Sequence, residues 1–177
     1  MKKLAVAFGF DGKILREITK SWKFFEERLN IRFMSNNHAL PHITIVYGKT
    51  ENTEKIYQKL KKIKFKKFVL SSPGLGIFAN KDPSLYIRWE KDFNLIKYSI
   101  LITKKSSKYF KKVEQGPVHP MWVPKTTLAW KDLKYNHLDM IYKKTKFMFT
   151  KKYVTINRIY LIDYTFKEQI IYTINLK

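Results

Sequence analysis

No cysteine occurs among the 177 residues, which excludes disulfides, thiolate metal sites and a cysteine nucleophile. Glycine and proline are sparse, at six each. No Gly-, Pro- or Ser-rich linker divides the chain, so one domain of two lobes is expected over residues 1–177. No apolar run approaches the roughly 20 residues of a membrane-spanning helix. The start, Met1-Lys2-Lys3 followed by Leu4 to Phe10, imitates a signal peptide. Its apolar part is short, however, Asp11 interrupts it, and no small-residue cleavage site follows. A first strand is the expectation there, in a cytoplasmic, monomeric protein. Acidic residues are also few, with 14 Asp+Glu against 36 Lys+Arg. The resulting formal charge of +22 suits a polyanionic partner such as nucleic acid, and with no apolar run of spanning length no membrane partner is expected. Arginine is scarce, so the bidentate readers of bases and phosphates are largely missing. The charge supports an anionic ligand, not sequence-specific recognition.

What is present is 45% hydrophobic composition, enough for a sizeable core, and a repeated motif. Pro41-His42-Ile43-Thr44-Ile45-Val46-Tyr47 returns in degenerate form as Pro124-Lys125-Thr126-Thr127-Leu128-Ala129-Trp130. The second proline and threonine each follow the first by 83 residues (124 − 41 and 127 − 44). A period that long implies two similar halves rather than a solenoid. β-Branched and aromatic residues after a proline predict a strand in each copy. Alternation then puts His42, Thr44 and Val46 on one face and Ile43, Ile45 and Tyr47 on the other. Lys125, Thr127 and Ala129 share a face opposite Thr126, Leu128 and Trp130. By that rule Tyr47 and Trp130 point away from the motif side chains and cannot stack on a base.

The remaining elements fall around these two strands. Lys3 to Phe10 alternates between a bulky face (Leu4, Val6, Phe8, Phe10) and a small one (Ala5, Ala7, Gly9), which suits either ligand room or close packing. Ile14, Ile18, Trp22, Phe25 and Leu29 recur at helical spacing. Residues 34–40 read as a loop. Asn52-Thr53 opens a helix with Ile56, Leu60 and Ile63 inward and a lysine-rich outer face. Residues 66–72 read as a strand, 73–76 as a bend, 77–78 as extended and 85–90 as a returning strand. On that strand Leu85, Ile87 and Trp89 face a core. Tyr86 and Arg88 sit on the polar face with Glu90, where they suit base stacking and phosphate binding. Helices follow over about 93–109 and 135–149, with a loop over 113–123 and strands over 153–166 and 169–176. The order βα, motif strand, α, ββ, α, motif strand, α, ββ predicts an α+β fold.

A pair of His-x-Thr motifs, one in each half of a pseudo-symmetric chain, resembles the 2H phosphoesterase superfamily, which includes 2′-5′ RNA ligases and 2′,3′-cyclic-nucleotide phosphodiesterases. The resemblance implies two pseudo-symmetric lobes whose antiparallel sheets face a central cleft, with helices outside. It also implies a metal-independent phosphodiesterase, without cofactor, acting on a nucleotide or RNA: a 2′,3′-cyclic phosphate, a 2′-5′ linkage or a cyclic oligonucleotide. His42 and Thr44 match the motif. In the second copy Thr127 matches, and Lys125 stands where the family has a histidine.

Phosphodiester cleavage needs a base, an acid and donors to the non-bridging oxygens. His42 suits the first or second role, and Thr44 and Thr127 the third. An ordinary lysine, with a pKa of about 10.4, is a poor acid at neutral pH but a good clamp for negative charge. It becomes a useful acid where burial lowers its pKa. His119, in the loop before Lys125, is a candidate to take the missing histidine's part. The alternative from another class is a non-catalytic binder that sequesters its nucleotide or RNA in the same cleft. His38 and His42 are four apart on loop and strand, which does not converge on a metal ion.

Overall fold

The computed structural model describes residues 1–10, 12–37, 39–111, 113–115, 121–145, 152–165 and 167–177. The expected 83-residue repeat appears as a helix, motif strand, helix unit that occurs twice. In the first unit α1 (Gly12–Leu29) precedes β2 (His42–Thr50), and α3 (Thr53–Lys61) follows it. In the second, α4 (Phe93–Ser106) precedes β7 (Lys125–Ala129), and α5 (Leu138–Thr145) follows. The stripe Ile14, Ile18, Trp22, Phe25 and Leu29 is the buried edge of α1, as its spacing requires. Asp92 caps α4 by accepting the Leu95 N–H at 2.7 Å.

Among the described residues all strand pairing is antiparallel, in two sheets. In the larger, β3 (Phe68–Ser72), β8 (Lys152–Asp163), β1 (Lys2–Phe10), β2 and β6 (Val113–Gln115) lie in that order, and β9 (Gln169–Asn175) also pairs with β8. The smaller runs β4 (Gly74–Phe78), β5 (Ser84–Arg88), β7. The hairpin after each unit joins the other unit's sheet: β4–β5 pairs with β7, and β8–β9 joins β1 and β2. Helices cross over likewise, α1 packing on β7 and α4 on β2. One hydrophobic cluster fills the space between helices and sheets, with Phe8, Phe10, Phe25, Trp89 and Leu128 among its buried members. Burying each such side chain contributes about 1.5–3 kcal/mol.

Three local expectations change. Residues 74–76, expected as a bend, form one strand with the extended residues 77–78. The turn is made earlier, at Gly74, whose φ of +124° only glycine adopts readily, and Ser72 Oγ accepts the Gly74 N–H at 3.1 Å. Residues 113–115, expected in a loop, pair with Tyr47 and Gly48 as an edge strand. Residues 34–36, likewise expected as loop, belong to a short helix, α2 (Phe33–Asn36). Asp132 Oδ2 tethers its entry by accepting the N–H groups of Arg32 and Phe33, at 2.5 and 2.7 Å. No described helix is long and apolar enough to cross a membrane.

Candidate active site

Both motif strands break their alternation at the same place. In β2, Val46 pairs with Val6 and Thr44 with Ala7, so Ile45 is an extra, bulged residue. In β7, Ala129 pairs with Leu85 and Thr127 with Tyr86, which leaves Leu128 bulged. Leu128 follows Ile45 by 83 residues (128 − 45), the motif period. A bulge moves every later side chain to the opposite face. Ile45 and Val46 are therefore both buried, and Tyr47 turns into the cleft beside His42 and Thr44. Trp130 likewise joins Lys125 and Thr127 in lining it. The expectation that both aromatics face away is thus overturned, because strict alternation holds only for a regular strand.

His42 is held at both ring nitrogens. Nδ1 faces the Leu40 carbonyl oxygen, so it carries the proton and donates, which leaves Nε2 as the acceptor. Nε2 accepts from the Tyr164 hydroxyl at 2.7 Å and lies 3.0 Å from Thr44 Oγ1. The His42 pKa is pushed down to about 4, chiefly by burial, with the Leu40 carbonyl opposing the shift and the nearby Lys125 ammonium adding to it. At neutral pH the ring is a neutral base with its lone pair aimed at the cleft.

Lys125 occupies the corresponding position in the second motif, its Nζ donating to Thr127 Oγ1 at 3.3 Å. The ammonium lies 5.5 Å from the Phe78 ring centroid and 5.8 Å from that of Tyr86, an aromatic cradle that favours a cation. Burial lowers its pKa below the ordinary lysine value. Tyr86 was expected as a stacking surface for a base, but it is only 6% exposed. Its ring sinks against Gly76, where an added Cβ would come within 2.5 Å of it. Tyr86 is thus a floor beneath Lys125. Arg88 ends β5 opposite Lys125 in register and does not line the cleft. His119 lies outside the described residues.

Thr126, between the two second-motif site residues, joins the halves. Its hydroxyl donates to the His42 carbonyl at 3.0 Å and accepts from Trp89 Nε1 at 3.0 Å. The cleft, about 670 Å³, brings together His42, Thr44, Lys125 and Thr127 as expected. It also contains residues that sequence reasoning missed, notably Tyr164 and Glu168 from the turn joining β8 to β9. The small face of β1 receives this turn: Ala5 and Ala7 are covered by Tyr47, Tyr160, Tyr164 and Leu40. Close packing, not ligand room, is what those small residues provide. Glu168 Oε2 accepts the Leu40 N–H at 2.6 Å, and burial drives its pKa up to about 7. Burial also holds the Tyr164 phenol well above its usual value, so it stays a donor. No three His, Asp or Glu side chains among the described residues group as metal ligands.

No family model and no curated protein matches the chain. Solved structures do match. Escherichia coli LigT in apo form aligns with a TM-score of 0.61 at 11% identity, covering 99% of this chain and 98% of that one. E. coli LigT complexed with 3′-AMP aligns with the same values. A structure described as a phosphoesterase gives 0.60 at 12% identity with the same coverage. At such identity the likeness is one of fold. This chain has the α+β fold of LigT and of that phosphoesterase, as its resemblance to the 2H phosphoesterase superfamily implied.

Proposed function

We propose that the cleft is a 2H-type phosphodiesterase site for a nucleotide or RNA phosphodiester, with His42 as base and Lys125 as the opposing cation. The observation that carries this reading is the convergence of two matched pairs, His42 with Thr44 and Lys125 with Thr127, in one cleft. Structures of LigT complexed with 3′-AMP, NADP+ and ATP share this fold and support a nucleotide as the ligand class. In hydrolysis of a 2′,3′-cyclic phosphate, a water oxygen bonds to phosphorus and its proton passes to His42 Nε2. The P–O bond to one ribose oxygen breaks, and that oxygen takes a proton from Lys125 Nζ. His42 returns its proton to Lys125 through solvent. The Thr44 and Thr127 hydroxyls donate to the non-bridging oxygens, where each such donor is worth about 10²–10³ in rate. Trp130, 42% exposed, stands at the cleft edge with Phe33 against it at 5.4 Å and offers a face to the base.

One observation favours the second reading, a binder that sequesters the same ligands. The aromatic cradle favours Lys125 as an ammonium, which holds phosphate without giving up a proton. The experiment that separates the two is incubation with 2′,3′-cyclic nucleotides, 2′-5′ oligonucleotides and cyclic oligonucleotides, with products and bound ligand identified by mass spectrometry. An enzyme accumulates product beyond one equivalent, His42→Ala nearly abolishes turnover, and Lys125→His accelerates it. A binder returns its ligand intact. Neither binding nor cleavage across the panel removes both readings.

A further inference from the structure

Tyr164 reaches His42 from 122 residues away in sequence, and its placement is built rather than incidental. Its ring packs edge-on against Tyr47 at 5.6 Å, in the cluster that covers Ala5 and Ala7. Four residues on, Glu168 binds the Leu40 N–H, while the carbonyl of the same Leu40 receives His42 Nδ1–H. The turn thus grips the base from both sides, through Leu40 at Nδ1 and through Tyr164 at Nε2. A hydroxyl on Nε2 occupies the lone pair that base catalysis requires. It therefore has to leave when His42 takes up a proton, since an Nε2–H no longer accepts.

Resting on the phosphoester reading above, we infer that Tyr164 is a third phosphate-binding donor of this site. Its hydroxyl caps His42 Nε2 and swings to a non-bridging phosphate oxygen as His42 becomes protonated. The switch needs only rotation about the phenolic C–O bond and a small shift of the acceptor. The proton on Tyr164 stays on Tyr164, and only its acceptor changes. Thr44 Oγ1, 3.0 Å from Nε2, is placed to accept the new Nε2–H. The site then presents three hydroxyls, from Thr44, Thr127 and Tyr164, and the Lys125 ammonium to one phosphate.

The test uses inorganic phosphate as probe and the isolated protein, so it does not depend on turnover. His42 is followed by imidazole NMR, with Tyr47, Asp82, Lys125, Tyr164, Lys167 and Glu168 as the other ionisable groups lining the cleft. In the wild type, phosphate should shift the Tyr164 Cζ and His42 ring signals along one binding isotherm. Tyr164→Phe keeps the ring and loses the hydroxyl. It should bind phosphate about tenfold more weakly and, without phosphate, titrate His42 at higher pH because the neutral ring has lost a donor. Phosphate affinity within twofold of wild type, a Tyr164 signal unmoved by phosphate, or no phosphate binding to the wild type would each overturn the inference. Phosphate binding that depends on Tyr164, with no turnover of the cyclic and 2′-5′ panel, sinks the phosphodiesterase reading and leaves this one standing.

Discussion

The Thr126 hydroxyl donates to the backbone carbonyl of His42 at 3.0 Å and so ties the second motif strand to the first at the proposed base. Thr126 is 2% exposed and also takes the indole N–H of Trp89. Thr126→Val keeps the shape and strands both partners. Leaving a buried polar group unsatisfied costs about 1–3 kcal/mol, to be read in denaturant unfolding. Ligand affinity should fall as well, because the two motifs lose their register. Unchanged stability and affinity would show that the bridge is incidental.

Gly76→Ala tests the floor under Lys125. The new Cβ meets the Tyr86 ring at 2.5 Å, so the ring has to lift out of its notch. Overpacking of this kind costs about 1–3 kcal/mol. Nucleotide affinity should drop with it, since Lys125 loses one of its two aromatic neighbours. A variant as stable and as tight-binding as the wild type would refute the cradle.

Trp130→Ala should weaken nucleotide binding by about 1–3 kcal/mol, the usual worth of one stacked base, and leave inorganic phosphate affinity unchanged. Isothermal titration with both ligands reads the difference. Equal losses for both would place Trp130 in the phosphate site instead, and no loss for either would remove it from the cleft's binding surface.

The pH dependence of stability contains two opposed contributions. The pKa of His42 is lowered from 6.5 to about 4, so between those values the unfolded chain binds more protons and stability rises with pH. That of Glu168 is raised from 4.5 to about 7, so between those values the folded chain binds more protons and stability falls as pH rises. Each amounts to roughly 3 kcal/mol over its window at 1.36 kcal/mol per pH unit. Between pH 4.5 and 6.5 they largely cancel. Denaturant unfolding should therefore be nearly flat there in the wild type, should fall with rising pH in His42→Gln and should rise in Glu168→Gln. Parallel curves for all three proteins would show that neither group is perturbed.

The sequence by itself determined the architecture's repeating unit and four residues of the site. Helical spacing marked the buried edge of α1, and the 83-residue period marked His42, Thr44, Lys125 and Thr127. These are local or periodic properties, carried by the chain without reference to its partners. Tertiary structure decided the rest. The twin bulges at Ile45 and Leu128 turned Tyr47 and Trp130 into the cleft, and a bulge is set by pairing with β1 and β5, not by the strand's own residues. Gly76 sank Tyr86 beneath Lys125, a contact across two strands that alternation alone cannot register. Tyr164 and Glu168 arrived through the exchange of the β8–β9 hairpin into the first motif's sheet. No periodicity encodes that exchange. It follows from which edges remain to be paired once the two motif strands are in place.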